Sequence, residues 1–341
     1  MADIAVLGSG GWGCAMSIML SKCGHKVSLW SKFEQEIEEL SVSREHKKLL
    51  SGVKIPDSVD FCTDLECIKG KDIIVFAVPS FALRETARAV KGLIEEDQVI
   101  VNIGKGLEEI THKRLSQVID EELSHKKLCI LSGPSHAEEV SRGFPTTNVA
   151  SSEDIELARY VQDVFMNPAF RVYTNSDVIG AEIGGSVKNV IALCAGVCDG
   201  LGYGDNTKAA LLTRGIAEMA RLGVKMGAQY DTFMGLTGIG DLIVTCTSMH
   251  SRNRRAGILI GQGKNVKDSL SEVNMVVEGY TTAKAAYNLS KELNVEMPII
   301  TQAYCVLYEN KSPKDAIKDL MSREKKDESE REWLGGMESM K

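Results

Sequence analysis

The stretch IAVLGSGGWG, residues 4–13, is an apolar run typical of a β-strand that breaks into Gly8-x-Gly10-x-x-Gly13 and continues as a helical pattern. This spacing matches a dinucleotide-binding fingerprint. Gly8 permits a tight turn, Gly10 lets the backbone approach a pyrophosphate, and Gly13 lets the helix pack closely on the strand. The N-terminus of that helix would face the anion. Because a second apolar run follows at residues 27–30, the stretch predicts a βαβ unit that binds a nucleotide.

Length and composition narrow the class of protein. The chain has 341 residues, 43% of them hydrophobic and 26% charged, which is ordinary for a globular protein. Its 40 basic and 47 acidic side chains give a net charge of -7, which excludes a general attraction to nucleic acid or anionic membranes. No apolar run reaches the roughly 18 residues of a membrane helix, and no basic segment precedes a signal-like apolar core. We therefore expect a cytoplasmic protein without a membrane span.

The nine cysteines are an odd number, and most stand inside apolar runs without nearby histidines. This usage predicts reduced, buried thiols. Cys194 and Cys198 are one helical turn apart, but no further Cys or His pair completes a metal site of known spacing. We expect no bound metal.

Strand-type runs recur along the first half of the chain, and helix-length amphipathic stretches such as residues 82–94 and 155–165 separate most of them. The runs are at residues 4–7, 27–30, 73–78, 99–103, 128–131, 147–150 and 170–173. Such alternation predicts a parallel, doubly wound sheet.

From about residue 180 onward, helical periodicity replaces strand alternation, as in residues 183–198 and 209–226. The predicted fold is therefore α/β, with a Rossmann-like dinucleotide-binding domain over residues 1–179 and an all-helical substrate-binding domain over residues 180–341. The charged tail after Ser322 is assigned no structure.

Three charged side chains stand where chemistry is plausible. Lys105 lies between two glycines, in a loop expected at the carboxyl edge of the sheet where ligands bind, although a solvated turn lysine is the plainer interpretation. Lys188 lies in an apolar helix of small residues. Burying an ammonium there costs free energy unless it is paired with an opposite charge, takes part in function, or extends to the surface. Asp241 follows the glycine-rich residues 235–240 and could either orient a lysine or cap a helix.

Ser251, Arg252 and Asn253 form a compact run of hydrogen-bond donors. A guanidinium can hold a phosphate through two parallel hydrogen bonds, so the run is a candidate phosphate site. A solvated basic turn is the alternative.

Six motifs occur in order along the chain, and together they resemble a known family. They are GSGGWG, NIGKGLE, SGPSHAEE, EIGGSVKNVIAL, GLTGIGDLIVTCTSMHSRNRRAG and VVEGY. Over residues 4–304 the sequence resembles the soluble bacterial glycerol-3-phosphate dehydrogenases that use NAD or NADP. The resemblance implies interconversion of dihydroxyacetone phosphate and sn-glycerol 3-phosphate, which supplies phospholipid synthesis. The expected partners are this small phosphorylated substrate and a second copy of the chain in a homodimer.

The resemblance also implies roles for individual residues. Those expected to bind the dinucleotide are Gly8, Gly10, Gly11, Trp12, Gly13, Lys32, Lys105, Ala137, Arg252, Val276 and Glu278. Those expected to hold the substrate are Lys105, Gly133, Ser135, Lys188, Asp241, Ser251, Arg252 and Asn253. Lys188 matches the catalytic acid/base, with Lys105 and Asp241 beside it. Burial and the charge of Lys105 would each lower the pKa of Lys188 toward the working range.

The choice between NAD and NADP depends on the end of the second predicted strand. The acidic residue expected there for the ribose 2′-hydroxyl is absent, and Ser31 and Lys32 could instead accept a 2′-phosphate. We therefore expect NADP to be used and NAD to be tolerated. Two other functions share the glycine-rich turn: a two-domain hydroxyacid dehydrogenase, and a nucleotide-sensing or methyl-transfer protein without hydride chemistry.

Overall fold

The structure, a computed structural model, describes residues 1–328. Residues 329–341 lie outside the described part, and with them most of the charged tail and the end of the second predicted domain. The described residues form one sheet flanked by helices, followed by a layer of helices alone.

All seven predicted strands are confirmed, and one further strand joins them in an eight-stranded sheet of order β3-β2-β1-β4-β5-β6-β7-β8. The strands are β1 (Asp3–Leu7), β2 (Lys26–Trp30), β3 (Val59–Cys62), β4 (Ile73–Phe76), β5 (Val99–Asn102), β6 (Leu128–Ser132), β7 (Thr146–Ser151) and β8 (Phe170–Asn175). The sequence prediction missed β3, a four-residue edge strand with only one fully buried residue, because so short a run carries little periodicity.

The expectation of a parallel sheet is wrong at one position. β7 runs antiparallel to β6, with Leu131 opposite Ala150, whereas the other neighbours pair in parallel. The connection from β6 to β7 contains only a four-residue helix, Ala137–Val140. A parallel neighbour would need a long crossover that carries the chain back to the end of the sheet where β6 begins. Here β7 starts near the end where β6 stops, so it runs in the opposite direction.

In the first half of the chain, the helices alternate with the strands along the sequence. They are α1 (Gly11–Lys22), α2 (Glu34–Ser43), α3 (Ser80–Val90), α4 (Leu115–Leu123), α5 (Ala137–Val140) and α6 (Ile155–Phe165), with a 3-10 helix at Leu65–Ile68. The predicted helices at residues 82–94 and 155–165 correspond to α3 and α6.

No strand occurs between residues 176 and 328, as the periodicity predicted. The helices there are α7 (Val178–Gly200), α8 (Asp205–Lys225), α9 (Tyr230–Phe233), α10 (Asp241–Thr247), α11 (Arg252–Gly261), α12 (Val266–Val273), α13 (Glu278–Glu292), α14 (Pro298–Tyr308) and α15 (Pro313–Met321), with a π-helical turn at Leu236–Gly240. The change from sheet to helices thus falls next to residue 180, although the division into two domains stays a prediction.

Helix α7 is the central helix of this second half. Among the described residues it is the single unbroken helix long and apolar enough to cross a membrane, and 83% of its most apolar window is buried in the protein. Glycines let α11 approach it closely: a Cβ on Gly257 would lie 2.0 Å from the Leu193 carbonyl oxygen, and one on Gly196 would lie 2.0 Å from that of Arg254. The two helices therefore touch through their backbones, and α7 is held tightly in place.

Candidate active site

Three charged side chains from distant parts of the sequence meet beyond the carboxyl ends of the strands. Lys105 follows β5, Lys188 lies in the middle of α7, and Asp241 begins α10. The Asp241 carboxylate bridges the two lysines, with Oδ1 2.5 Å from Lys188 Nζ and Oδ2 2.6 Å from Lys105 Nζ. Lys105 Nζ also donates a hydrogen bond to the Gly133 carbonyl oxygen at 2.8 Å.

Burial makes this cluster electrostatically unusual. Lys188 is only 5% exposed and Asp241 only 1%. Burial, with a smaller effect of the nearby Lys105 charge, lowers the pKa of Lys188 to about 7, and the charge of Asp241 keeps the fall from being larger. Burial alone would raise the pKa of Asp241, but the two ammonium groups outweigh it and leave that pKa below its ordinary value. The site therefore holds a firmly ionised carboxylate and a lysine that can gain or lose a proton near neutral pH.

Thr245 completes the environment of Lys188, and sequence reasoning did not find it. Lys188 Nζ donates to Thr245 Oγ1 at 2.8 Å, and Thr245 Oγ1 donates to the Asp241 carbonyl oxygen at 2.6 Å. Thr245 lies one helical turn after Asp241, so the two face the same way. That spacing could have indicated it once Asp241 was known to begin a helix.

Small residues on α7 bring the surrounding loops to Lys188. A Cβ on Gly184 would lie 2.4 Å from the Thr237 carbonyl oxygen, and one on Gly185 would lie 2.9 Å from Ser132 Oγ. Ser186 Oγ accepts a hydrogen bond from the Gly106 N–H at 3.1 Å and donates one to the Gly106 carbonyl at 2.9 Å. The motif GGS before Lys188 thus positions the Lys105 loop.

The run of donors at residues 251–253 lies at the start of α11, beside α7. Ser251 caps this helix, since its hydroxyl accepts from the Arg254 N–H at 3.2 Å. Asn253 is buried and links three helices: its Nδ2 donates to Asn189 Oδ1 at 3.0 Å, and its Oδ1 accepts from the Gly279 N–H at 2.8 Å.

Arg252 differs from these two neighbours. Its side chain is exposed, and in residues 1–328 its guanidinium makes no ion pair or hydrogen bond within contact distance, although the charges of Glu278 and Glu138 lie close enough to influence it. Arg252 is thus a cation available to an anionic ligand. Gly133 and Ser135, the predicted substrate residues after β6, lie beside Lys105, since the Gly133 carbonyl accepts hydrogen bonds from Lys105 Nζ at 2.8 Å and from Ser135 Oγ at 2.9 Å.

The glycine-rich turn has the space and the conformation that a dinucleotide requires. Gly8 has φ +121, and a Cβ there would lie 2.8 Å from the Ala77 carbonyl oxygen. A Cβ on Gly13 would lie 1.8 Å from the Gly8 carbonyl oxygen, whereas one on Gly10 would meet nothing within 4 Å. Gly8 and Gly13 therefore build the turn, and Gly10 leaves open the approach to the N-terminus of α1. Gly11 and Trp12 form the first turn of that helix.

The remaining predicted cofactor residues lie at the start of α5 and around the start of α13. Ala137 begins α5, and Val276 lies half-buried between α12 and α13. Glu278 begins α13 and accepts two hydrogen bonds from Ser80, from the backbone N–H at 3.1 Å and from the hydroxyl at 2.6 Å. Burial raises the pKa of Glu278, while these bonds and the charge of Arg252 oppose the rise. Ser80 thus joins α3 to the helical half.

Lys32 lies apart from the cluster of Lys105, Lys188 and Asp241. It follows β2, and its Nζ pairs with Glu85 Oε1 at 2.6 Å with both side chains largely exposed. The sequence prediction found no acid at the end of this strand, but Glu36 reaches the same place from the first turn of α2. Its carboxylate accepts hydrogen bonds from Ser31, at 2.7 Å, and from Ser9. The His46 ring, whose Nε2 lies 3.3 Å from Glu36 Oε1, lowers the pKa of Glu36 to about 2, with Ser9 and Ser31 adding to the effect against the opposing cost of burial.

Among the described residues, no group of three or more His, Cys, Asp and Glu side chains is arranged to hold a metal ion.

Comparisons with known proteins agree over most of the chain. Residues 3–158 match the family model for the NAD-dependent glycerol-3-phosphate dehydrogenase N-terminus, and residues 177–318 match the model for its C-terminus. The glycerol-3-phosphate dehydrogenase (NAD(P)+) of Fusobacterium nucleatum is 55% identical over 329 residues, which cover 96% of this chain and 98% of that relative. Its counterpart from Clostridium perfringens is 55% identical and covers 96% of this chain and 99% of its own.

A solved structure agrees with these sequence matches. The crystal structure of glycerol-3-phosphate dehydrogenase from Coxiella burnetii is 35% identical to this chain and superposes with a TM-score of 0.91. The superposition covers 94% of this chain and 99% of that one.

The shared carboxylate leads to a stability prediction. Asp241→Leu leaves Lys188 buried without its counter-charge, and we expect a loss of about 3–5 kcal/mol in the free energy of unfolding. Urea denaturation at about pH 6 measures the loss, which should grow as the pH is lowered, because removing Asp241 also lowers the pKa of the buried Lys188 and the folded variant then resists taking up its proton. The double variant Asp241→Leu/Lys188→Met replaces the buried pair by apolar side chains and should recover most of the stability. A double variant no more stable than Asp241→Leu would contradict the pairing.

Proposed function

The chain belongs to the NAD-dependent glycerol-3-phosphate dehydrogenase family, and we propose that Lys188 donates and accepts the proton in the reaction of this enzyme. The protein is an oxidoreductase that uses NAD or NADP to interconvert dihydroxyacetone phosphate and sn-glycerol 3-phosphate. The observation that carries the role of Lys188 is its buried pairing with Asp241 together with a pKa of about 7.

When bound, the nicotinamide supplies the hydride for reduction of the ketone carbon and accepts it in the reverse direction. During reduction, negative charge develops on the ketone oxygen, where the ammonium of Lys188 stabilises it and then transfers a proton. In the reverse direction, the neutral amine of Lys188 takes the proton from the substrate hydroxyl. A pKa near neutrality lets one lysine serve both directions.

Asp241 and Lys105 position and tune Lys188. Because Asp241 holds one lysine on each oxygen, it fixes the ammonium of Lys188 at the site and keeps its pKa from falling further. The Lys105 ammonium pairs with the same carboxylate and also donates a hydrogen bond to the Gly133 carbonyl. We therefore assign Lys105 to binding the polar groups of the substrate. Gly133 and Ser135 would line this side of the substrate.

For the substrate phosphate, we assign Arg252 as the principal cation. Its unpaired, exposed guanidinium can bind two phosphate oxygens in parallel, and the N-terminus of α11 adds backbone N–H groups and a favourable dipole. The Ser251 hydroxyl and the Asn253 amide already serve the helix and its neighbours. We therefore assign these two the role of holding the Arg252 turn in place beside the phosphate.

The dinucleotide would lie along the turn from Gly8 to Gly13, with its pyrophosphate at Gly10. Lys32 and Glu36 then oppose each other at the ribose: a cation favours the 2′-phosphate of NADP, and a carboxylate repels it. Since Lys32 is 62% exposed and its pairing with Glu85 is a surface ion pair, the lysine can turn to a 2′-phosphate at little cost. We propose that NADP is preferred and NAD tolerated.

We further propose that the enzyme works in the cytoplasm as a homodimer and supplies sn-glycerol 3-phosphate to phospholipid synthesis. The net charge of -7 and the burial of the apolar helix α7 support this location. Sedimentation of the purified chain would test the homodimer.

The role of Lys188 predicts opposite pH profiles for the two directions. We expect kcat/KM for ketone reduction to fall about tenfold per pH unit above the Lys188 pKa of about 7, because reduction needs the protonated lysine. For alcohol oxidation, kcat/KM should fall below that pH. Asp241→Asn removes the charge that raises the pKa of Lys188, so both limbs should move to lower pH. Lys225→Ala, a change at an exposed lysine, is the control. An unchanged hydride-transfer rate in a single turnover of Lys188→Ala would refute the role.

The role of Arg252 predicts a change in substrate selectivity. Arg252→Ala should raise KM for dihydroxyacetone phosphate about 10–100-fold, the value of losing hydrogen bonds to a charged group. Activity on unphosphorylated dihydroxyacetone should change much less, so the ratio of the two activities reports the contact. The neighbouring Arg255→Ala is the matched control. If Arg252→Ala leaves the ratio at its wild-type value, Arg252 does not bind the phosphate.

The opposed charges at the ribose predict a change in cofactor preference. Lys32→Glu should lower kcat/KM with NADPH about tenfold relative to NADH, and Glu36→Gln should shift the ratio the other way. Steady-state kinetics with each cofactor measure both ratios. If the ratio of kcat/KM with NADPH to kcat/KM with NADH is the same in Lys32→Glu as in the wild type, this electrostatic account is wrong.

A further inference from the structure

The loop that follows α2, residues 44–55, is a compact unit closed on itself. Its ends meet, because the Ile55 N–H donates a hydrogen bond to the Arg44 carbonyl oxygen at 2.7 Å. Leu50, Val53 and Ile55 are buried in the core beneath it. A loop with joined ends and its own packed side chains holds its shape, and such loops often carry function.

This loop lies against the dinucleotide turn at two points. A Cβ on Gly11 would lie 3.2 Å from the Leu49 carbonyl oxygen, so the loop backbone faces the first turn of α1 directly. His46 Nε2 lies 3.3 Å from Oε1 of Glu36, the acid at the end of β2. The 44–55 loop therefore forms a wall beside the glycine-rich turn.

Lys48 extends from this wall to the helical half of the protein. Its Nζ donates a hydrogen bond to Asn274 Oδ1 at 3.4 Å, across a separation of 226 residues in the sequence. Asn274 ends α12 in a left-handed conformation, φ 50, which asparagine tolerates. Val276 follows two residues later. The hydrogen bond thus joins a neighbour of Leu49 to the segment that carries Val276.

We propose that Lys48 and Asn274 form a clasp across the cleft between the two halves, and that this clasp slows the release of the bound dinucleotide. The inference rests on the proposed function, which assigns the dinucleotide to the glycine-rich turn on one side and to Val276 on the other. A cofactor in that position has the hydrogen bond from Lys48 across its exit.

The exposure of the two side chains suits a contact that must open and close. Lys48 and Asn274 are both exposed, so water replaces their hydrogen bond at little cost when it breaks. The hydrogen bonds from Ser80 to Glu278 are partly buried and hold the same two halves together. The clasp can therefore open for cofactor entry and exit without separating the halves.

The rate of cofactor release tests the clasp directly. Full-length enzyme loaded with NADPH is mixed with excess NADP+, and nicotinamide fluorescence follows the release in stopped flow. Lys48→Met keeps an apolar stem and removes the donor, and Asn274→Gly removes the acceptor at a φ that glycine adopts freely. Each change should raise the release rate constant about two- to tenfold, the value of one exposed hydrogen bond. The double variant should release NADPH no faster than either single variant, because both changes remove the same contact.

Lys47→Met is the matched control, since Lys47 is an exposed lysine of the same charge on the same loop. It should leave the release rate at the wild-type value. Hydride transfer in a single turnover at saturating cofactor should be unchanged in Lys48→Met, because the clasp does not touch the reacting groups.

The clasp is overturned if either Lys48→Met or Asn274→Gly releases NADPH at the wild-type rate, or if their effects multiply in the double variant. A change in the association rate alone also overturns it, because Lys48 would then only attract the anionic cofactor. Wild-type enzyme that binds neither NADPH nor NADH would refute the proposed function and the clasp together. Normal binding with unaltered release in both variants would refute the clasp alone.

Discussion

The sharing of one buried carboxylate by two lysines is the interaction on which the rest of the site depends. Asp241 makes it possible to keep Lys188 charged in a place where burial works against any charge. The same carboxylate draws in Lys105 from the sheet half of the protein. The network is therefore both an electrostatic balance and a structural link between the two halves of the chain.

Placing that network in the interior requires the surrounding backbone segments to pack closely. Glycines on α7 face α11 on one side and the loops of the sheet half on another, so Lys188 sits on a rigid helix that is surrounded by main chain. Hydrogen bonds from Ser186 to Gly106 and from Ser80 to Glu278 complete the contacts between the halves. Rigid support of this kind keeps Lys188, Asp241 and Lys105 at fixed separations, which the proposed proton transfer requires.

Much of the fold could be predicted because its strands are buried and its helices are amphipathic. The edge strand β3 and the reversed direction of β7 could not, since the first is too short for periodicity and the second depends on where a connection runs. Lys105, Lys188 and Asp241 carried unusual sequence contexts and do meet in space. Thr245 and Glu36 carried none, because an ordinary hydroxyl or acid becomes notable only through its partner.

The three charges of the cluster come from residues 105, 188 and 241, which only the finished tertiary structure brings together. In an unfolded or half-folded chain, Lys188 is an ordinary solvated amine that stays protonated at neutral pH. The lowered pKa of Lys188 therefore exists only in the folded protein. Enzymatic activity therefore shows whether the two halves of the chain have folded together completely. Misfolded chains in a cell would bind no substrate and would be inactive.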